Sequence, residues 1–160
     1  MSKVVIFGNS GSGKSTLARK LASQDEVAHF DLDEIAWQPT NPPTRQPLKQ
    51  SFAKIDEFIN DNSNWVIEGC YSDLIEYVMV YADKAIFMNL SIEDCIENAK
   101  QRQWEPNKYP SKQAQDDNLP MLLDWIKAYE SRTDTFSLSS HLAMYDAFPR
   151  EKVMHTRNEA

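Results

Sequence analysis

The sequence predicts an α/β fold: a parallel sheet flanked on both sides by helices. Three observations point there. An apolar, β-branched run, Val4-Val5-Ile6-Phe7, leads straight into a glycine-rich turn and an amphipathic helix. Short apolar runs then alternate with helical patterns along the chain, which calls for right-handed crossovers between parallel strands. Finally, 160 residues with 41% hydrophobic and 26% charged side chains suit one domain with one core.

The elements follow in order. The first strand is expected at about 3–8 and the first helix at about 14–23, where Leu17, Ala18, Leu21 and Ala22 share a face. A second strand reads at 27–32. Residues 38–47 hold Pro39, Pro42, Pro43 and Pro47 and predict an irregular excursion. A helix at about 47–61 is marked by Phe52, Ile55, Phe58 and Ile59. Trp65-Val66-Ile67-Glu68 makes a third strand ended by Gly69, followed by a helix over 72–81. Residues 84–90 form the fourth strand. Ser91 then caps a helix to about Arg102, with Glu93 and Asp94 in its first turn. The polar stretch 103–118 reads as an exposed flap. Leu119 to Arg132 and residues 137–147 read as helices, and 152–155 as a short last strand.

Composition excludes several classes. No apolar run is long enough to span a membrane, and no leader is visible, so a cytoplasmic chain is expected. Cys70 and Cys95 are too few for a disulfide framework. A net charge of -7 without a Lys/Arg run argues against stable nucleic-acid binding. Nothing in the sequence decides the oligomeric state.

Residues 8–15, Gly-Asn-Ser-Gly-Ser-Gly-Lys-Ser, fit G-x-x-x-x-G-K-[ST], the phosphate-cradling loop of P-loop nucleotide-binding proteins. Such a match arises by chance in roughly one chain in a few hundred of this length. Here it lies between a strand and a helix, as the chemistry requires. Gly8, Gly11 and Gly13 allow successive N–H groups to point at phosphate, and the helix adds its positive end. Lys14 follows the β- and γ-phosphates. Ser10, Ser12 and Thr16 complete the nucleotide-binding set, and the Ser15 hydroxyl is a hard oxygen suited to Mg²⁺.

Ligands of a parallel sheet bind beyond the carboxyl ends of its strands. Asp31 and Asp33 follow the second strand and Glu68 ends the third. Asp33 is the candidate to hold an acceptor hydroxyl and take its proton. Asp31 and Glu68 are candidate metal or water ligands. Helix capping and strand-end solvation are the alternatives. Arg102 and Arg132 flank the flap and are candidates to stabilise a transferring phosphoryl group; both also suit helix C-termini. Arg45 is a candidate for an anionic acceptor. Lys108 and Lys112 read as solvated. His29, His141 and His155 form no ligand cluster and read as structural or surface residues. Trp37 suits an acceptor-pocket wall or the core equally; Trp65 and Trp125 read as core.

Together the segments VVIFGNSGSGKSTLARKLA, HFDLDEIAW, NWVIEGCYSD and AIFMNLSIEDC, with the Arg102 region, resemble the nucleoside monophosphate kinase superfamily. The closer likeness is to small adenylate-kinase-like proteins often labelled topology modulation proteins. The resemblance implies a three-layer P-loop kinase fold, with five parallel strands ordered 2-3-1-4-5 in one domain. It also implies an acceptor-binding excursion at about 37–64, a lid at about 103–118, and ATP with Mg²⁺ as donor to an unidentified small-molecule acceptor. Shikimate and gluconate kinases are similar in the spaced acids Asp31 and Asp33. The chain departs from adenylate kinases after the third strand, where Glu68-Gly69-Cys70-Tyr71-Ser72 replaces D-G-F-P-R, and at Asn98, which stands in place of an adenine-stacking arginine. Both departures argue against AMP as acceptor. The competing readings are a nucleotide-dependent switch or slow ATPase, and a binding module without turnover.

Overall fold

A computed structural model of the chain describes residues 2–40 and 42–158. Its sheet has five strands: β1 (Lys3–Gly8), β2 (Ala28–Asp31), β5 (Trp65–Gly69), β6 (Lys84–Met88) and β7 (Glu151–His155). They run parallel in the order β2-β5-β1-β6-β7. Counted among themselves along the chain, the strands follow the order 2-3-1-4-5. Two further short strands, β3 (Trp37–Gln38) and β4 (Thr44–Arg45), take the intervening numbers. They pair antiparallel within the proline-rich excursion, which the sequence predicted to be irregular throughout. Thr40 steadies this hairpin: its hydroxyl donates to the Pro42 carbonyl and accepts from the Thr44 amide.

Side chains alternate across the strands, so each strand feeds two cores. Val5, Phe7, Ile67 and Phe87 pack with α3 (Leu48–Asp61), α4 (Ser72–Met79) and α7 (Leu138–Ala147). Val4, Ile6, Val66 and Ile86 pack on the other face with α1 (Lys14–Asp25), α5 (Ile92–Lys100) and α6 (Lys112–Lys127). The result is the three-layer α/β arrangement the alternating pattern predicts. A short helix, α2 (Asp33–Ala36), links β2 to the hairpin. None of the described helices is long and apolar enough to cross a membrane.

The largest correction concerns 103–118. Helix α6 begins at Lys112, well inside the stretch expected to be open flap. Ser111 caps it by accepting from the Ala114 amide, and Lys112–Asp116 and Gln113–Asp117 contacts follow one turn apart. The apolar stripe starts only at Leu119, so hydrophobic periodicity was blind to the first two turns. Pro120 lies inside this helix. The helix ends at Lys127 and continues as a 3₁₀ turn over Ala128–Glu130, short of the expected Arg132. Ser91 caps α5 as expected, accepting from the Asp94 amide.

His141 on α7 is fully buried and joins three segments. Its Nε2 donates to the Cys70 carbonyl at 2.8 Å, and its Nδ1 accepts from the Tyr129 hydroxyl at 2.7 Å. Burial pulls the ring's pKa down to about 4, against the opposing effect of the Cys70 hydrogen bond. The unfolded chain takes up this proton near 6.5, the folded chain only near 4. The ring's contribution is therefore complete above pH 6.5 and is lost as pH falls toward 4, to a limit of about 3 kcal/mol. Urea titrations at pH 7 and pH 4.5 should show a larger acid-side loss of stability for the natural chain than for His141→Phe. Other titrating groups cancel in that comparison.

Candidate active site

The turn between β1 and α1 is shaped by its glycines. Gly11 and Gly13 have φ of 79° and 87°, in the region that side chains disfavour. A Cβ on Gly11 would also meet the Cys95 carbonyl at 2.5 Å. Gly13 caps α1 without a side-chain hydrogen bond, leaving the helix's first amides open to an anion.

A loop whose amides turn inward turns carbonyls outward, and those need donors. Lys14 Nζ donates to the Asn9 carbonyl at 2.7 Å. Asn98, on α5, donates to the Gly11 carbonyl at 2.9 Å. Asn158, beyond β7, donates to the Ser12 carbonyl at 3.1 Å, and its own carbonyl accepts from Asn98 at 2.7 Å. Buried Asn9 spans the loop from within, accepting from the Ser10 amide and donating to the Ile126 carbonyl. Asn98 therefore braces the loop, in the place where the resemblance suggested base stacking.

Beside the loop lies an open cavity of about 1110 Å³. Ser10, Gly11, Gly13, Lys14, Ser15 and Thr16 line it; Gly8 and Ser12 do not. Ser12, expected in the nucleotide-binding set, lies off the cavity lining. Its hydroxyl is fully buried without a hydrogen-bond partner, and its amide is spent on the Asn9 carbonyl.

The strand tips bring the expected acids to the same cavity. Asp31 and Glu68 are neighbours in register between β2 and β5. Glu68 is 2% exposed, and both its oxygens are engaged. Oε1 accepts from the Ser15 hydroxyl at 2.8 Å, and Oε2 lies 2.7 Å from His29 Nε2. Asp33 accepts from the Tyr71 hydroxyl, which in turn accepts from the Trp37 indole at 2.7 Å. This places Trp37 behind the acid as a support.

Lys108, expected to be solvated, is the largest surprise. Its ammonium lies 2.9 Å from Asp33, 3.2 Å from Asp31 and 3.7 Å from Glu105. Burial disfavours its charge, but Asp33 and Asp31 outweigh that and raise its pKa above the ordinary lysine value. Burial, then the charges of Asp33 and Glu68, raises Asp31 to about 6 in spite of Lys108. Asp33 feels burial as well, yet Lys108 and the Tyr71 hydrogen bond hold it below the usual carboxylate value. Two adjacent acids therefore have opposite shifts, the pattern that separates proton-carrying roles in active sites.

The arginines divide. Arg102 lines the cavity and pairs with Glu105 at 3.3 Å. Arg132 does not line it. Its guanidinium is held by Asp134 at 2.8 Å and sits 3.6 Å over the Trp125 ring. The helix ends before Arg132, so the residue turns toward its own loop. Arg45 also lies outside the cavity, paired with Asp73 and stacked near Tyr71. Lys112 pairs with Asp116 on the exposed face of α6. Sequence reasoning missed Lys108 and His29. No spacing rule announces Lys108; His29 shares the strand face of Asp31 by period two, a signal that was there to use.

Among the described residues no group of three or more His, Cys, Asp or Glu is arranged to hold a metal ion. The donor set still fits Mg²⁺ bound mainly by phosphate and water: hard oxygens of Ser15 and Glu68, already hydrogen-bonded at the loop.

Gly11→Ala should destabilise the chain by at least about 1–2 kcal/mol, because both backbone angle and space refuse the methyl group. Gly69→Ala, where the nearest atoms belong to the Leu32 side chain, should cost less. Thermal denaturation of the two variants makes the comparison.

No protein-family model matches the sequence, and no curated protein matches it significantly. Solved structures do. Shikimate kinase from Acinetobacter baumannii, in complex with shikimate, aligns over 100% of this chain and 86% of its own, with 12% identity and a TM-score of 0.56. A gluconokinase from Sinorhizobium meliloti 1021 aligns over 98% and 84%, with 15% identity and a TM-score of 0.52. At these identities the likeness shows architecture: this chain has the P-loop kinase fold.

Proposed function

We propose that this chain is an ATP-dependent small-molecule kinase that moves the γ-phosphoryl group of Mg-ATP to a small hydroxyl or phosphate acceptor. One observation carries the reading: the phosphate-type loop, the Asp33 carboxylate and the Lys108 ammonium line a single cavity. Shikimate and gluconate kinases share the fold, which supports a small polar acceptor over a macromolecular one.

In this reading the open amides of the loop and of α1, with Lys14, bind the triphosphate. Ser15 and Glu68 would hold Mg²⁺, with Asp31 beside Glu68 on the neighbouring strand, and the bound ion would supply positive charge for the phosphates. Asp33 takes the proton of the acceptor hydroxyl as the new P–O bond forms. Tyr71 and Trp37 keep its carboxylate in place. Lys108 bridges Asp31 and Asp33 before substrate arrives and is drawn toward the γ-phosphate once it does. Arg102 stabilises the equatorial oxygens of the transferring group. The segment 37–64 shapes the acceptor side, and the loop 103–111 ahead of α6 closes as the lid that delivers Lys108 and excludes water. Arg132, bound to Asp134, would have to exchange partners to take part. ATP as donor implies a cytoplasmic setting.

A coupled assay for ADP release, run across shikimate, gluconate, nucleosides and nucleoside monophosphates, tests the proposal. At least one acceptor class should raise ADP release well above the rate with water. If none does, the chain is a slow ATPase or switch. Asp33→Asn should lower acceptor-dependent turnover at least about a hundredfold with ATP affinity nearly unchanged. Lys14→Ala should instead weaken ATP binding, seen by calorimetry.

A further inference from the structure

His29 stands on β2, one strand pair away from the cation ligands just proposed, and its ring reaches across to β5. Its register partner is Val66, while Glu68 pairs with Asp31. The ring therefore meets Glu68 diagonally, on the face that lines the cavity. Its side chain is 23% exposed and that of Glu68 2%.

The chain of contacts runs His29 Nε2 to Glu68 Oε2 at 2.7 Å, then Glu68 Oε1 to Ser15 Oγ at 2.8 Å. A carboxylate only accepts, so both neighbours give it a hydrogen. The Ser15 hydroxyl has a single hydrogen. Once that hydrogen is fixed on Glu68, its remaining lone pairs are free for a cation. A carboxylate held at one oxygen alone can swing about its terminal bond. Held at both, it keeps one orientation, and so does the hydroxyl that depends on it.

We infer that His29 is a positioning residue for the divalent cation that accompanies the nucleotide: it clamps Glu68 so that Ser15 presents its oxygen to the metal. The inference rests on the nucleotide-binding reading above but not on phosphoryl transfer. Partners of this kind, which orient the groups that hold a metal, typically change metal affinity ten- to a hundredfold when removed.

Calorimetry measures ADP binding with excess Mg²⁺ and with EDTA, and the ratio of the two affinities reports the metal's contribution. His29→Ala should cut that ratio by about tenfold or more while leaving metal-free ADP affinity within about twofold. His29→Gln, whose amide nitrogen reaches nearly as far as Nε2, should recover most of the ratio. A structural tie between β2 and β5 would instead lower both affinities together, and Gln would offer no selective rescue. An unchanged ratio in His29→Ala, or an equal loss with and without metal, overturns the inference. Failure of the natural chain to bind ADP under either condition overturns the nucleotide reading and the inference with it. Binding without any acceptor activity removes only the kinase proposal.

Discussion

A phosphate-binding turn made of main-chain amides has to hold a conformation the chain would not choose. Its carbonyls at Asn9, Gly11 and Ser12 are left facing protein donors. Glycine lowers the conformational cost at Gly11 and Gly13, but it supplies no partner for the carbonyls. Here two asparagines and one lysine do so. Asn9 braces the loop from within, Asn98 from α5 and Asn158 from beyond the last strand, while Lys14 folds back on the Asn9 carbonyl. Elements distant in the sequence thus converge on a few carbonyl oxygens. The buried sheet beneath supplies the rigidity, with Val5, Ile6 and Phe7 fully enclosed.

Charge balance at the strand tips is the second constraint. Asp31, Asp33 and Glu68 converge there in a chain that already carries a net charge of -7. Two carboxylates about 4 Å apart repel by about 4 kcal/mol at an effective dielectric of 20. Lys108 bridges the first two and offsets part of their repulsion, and His29 with Ser15 satisfies the third.

The site was legible where it depends on local pattern and opaque where it depends on distant packing. Loop, strand tips and acids could be read because glycine spacing and period-two alternation act over a few residues. Lys108 could not, because the two aspartates that draw it into the site lie 75 and more residues away and its neighbours carry no periodic signal. Arg132 looked like a site residue from its place after a helix. A helix end five residues earlier turned it toward Asp134 and Trp125 instead. The first turns of α6 escaped notice because caps and one-turn polar contacts, not apolar periodicity, specify them.

The sequence by itself determined the layered α/β class, the order of its elements and the phosphate-type turn, since each follows from steric and hydrophobic preferences of neighbouring residues. Tertiary structure alone decided which charges meet. Lys108 over Asp31 and Asp33, His29 on Glu68, and Asn158 on the loop are contacts between segments joined only by the fold. Long side chains have several rotamers within reach of several partners, and only the assembled sheet and its helices select among them.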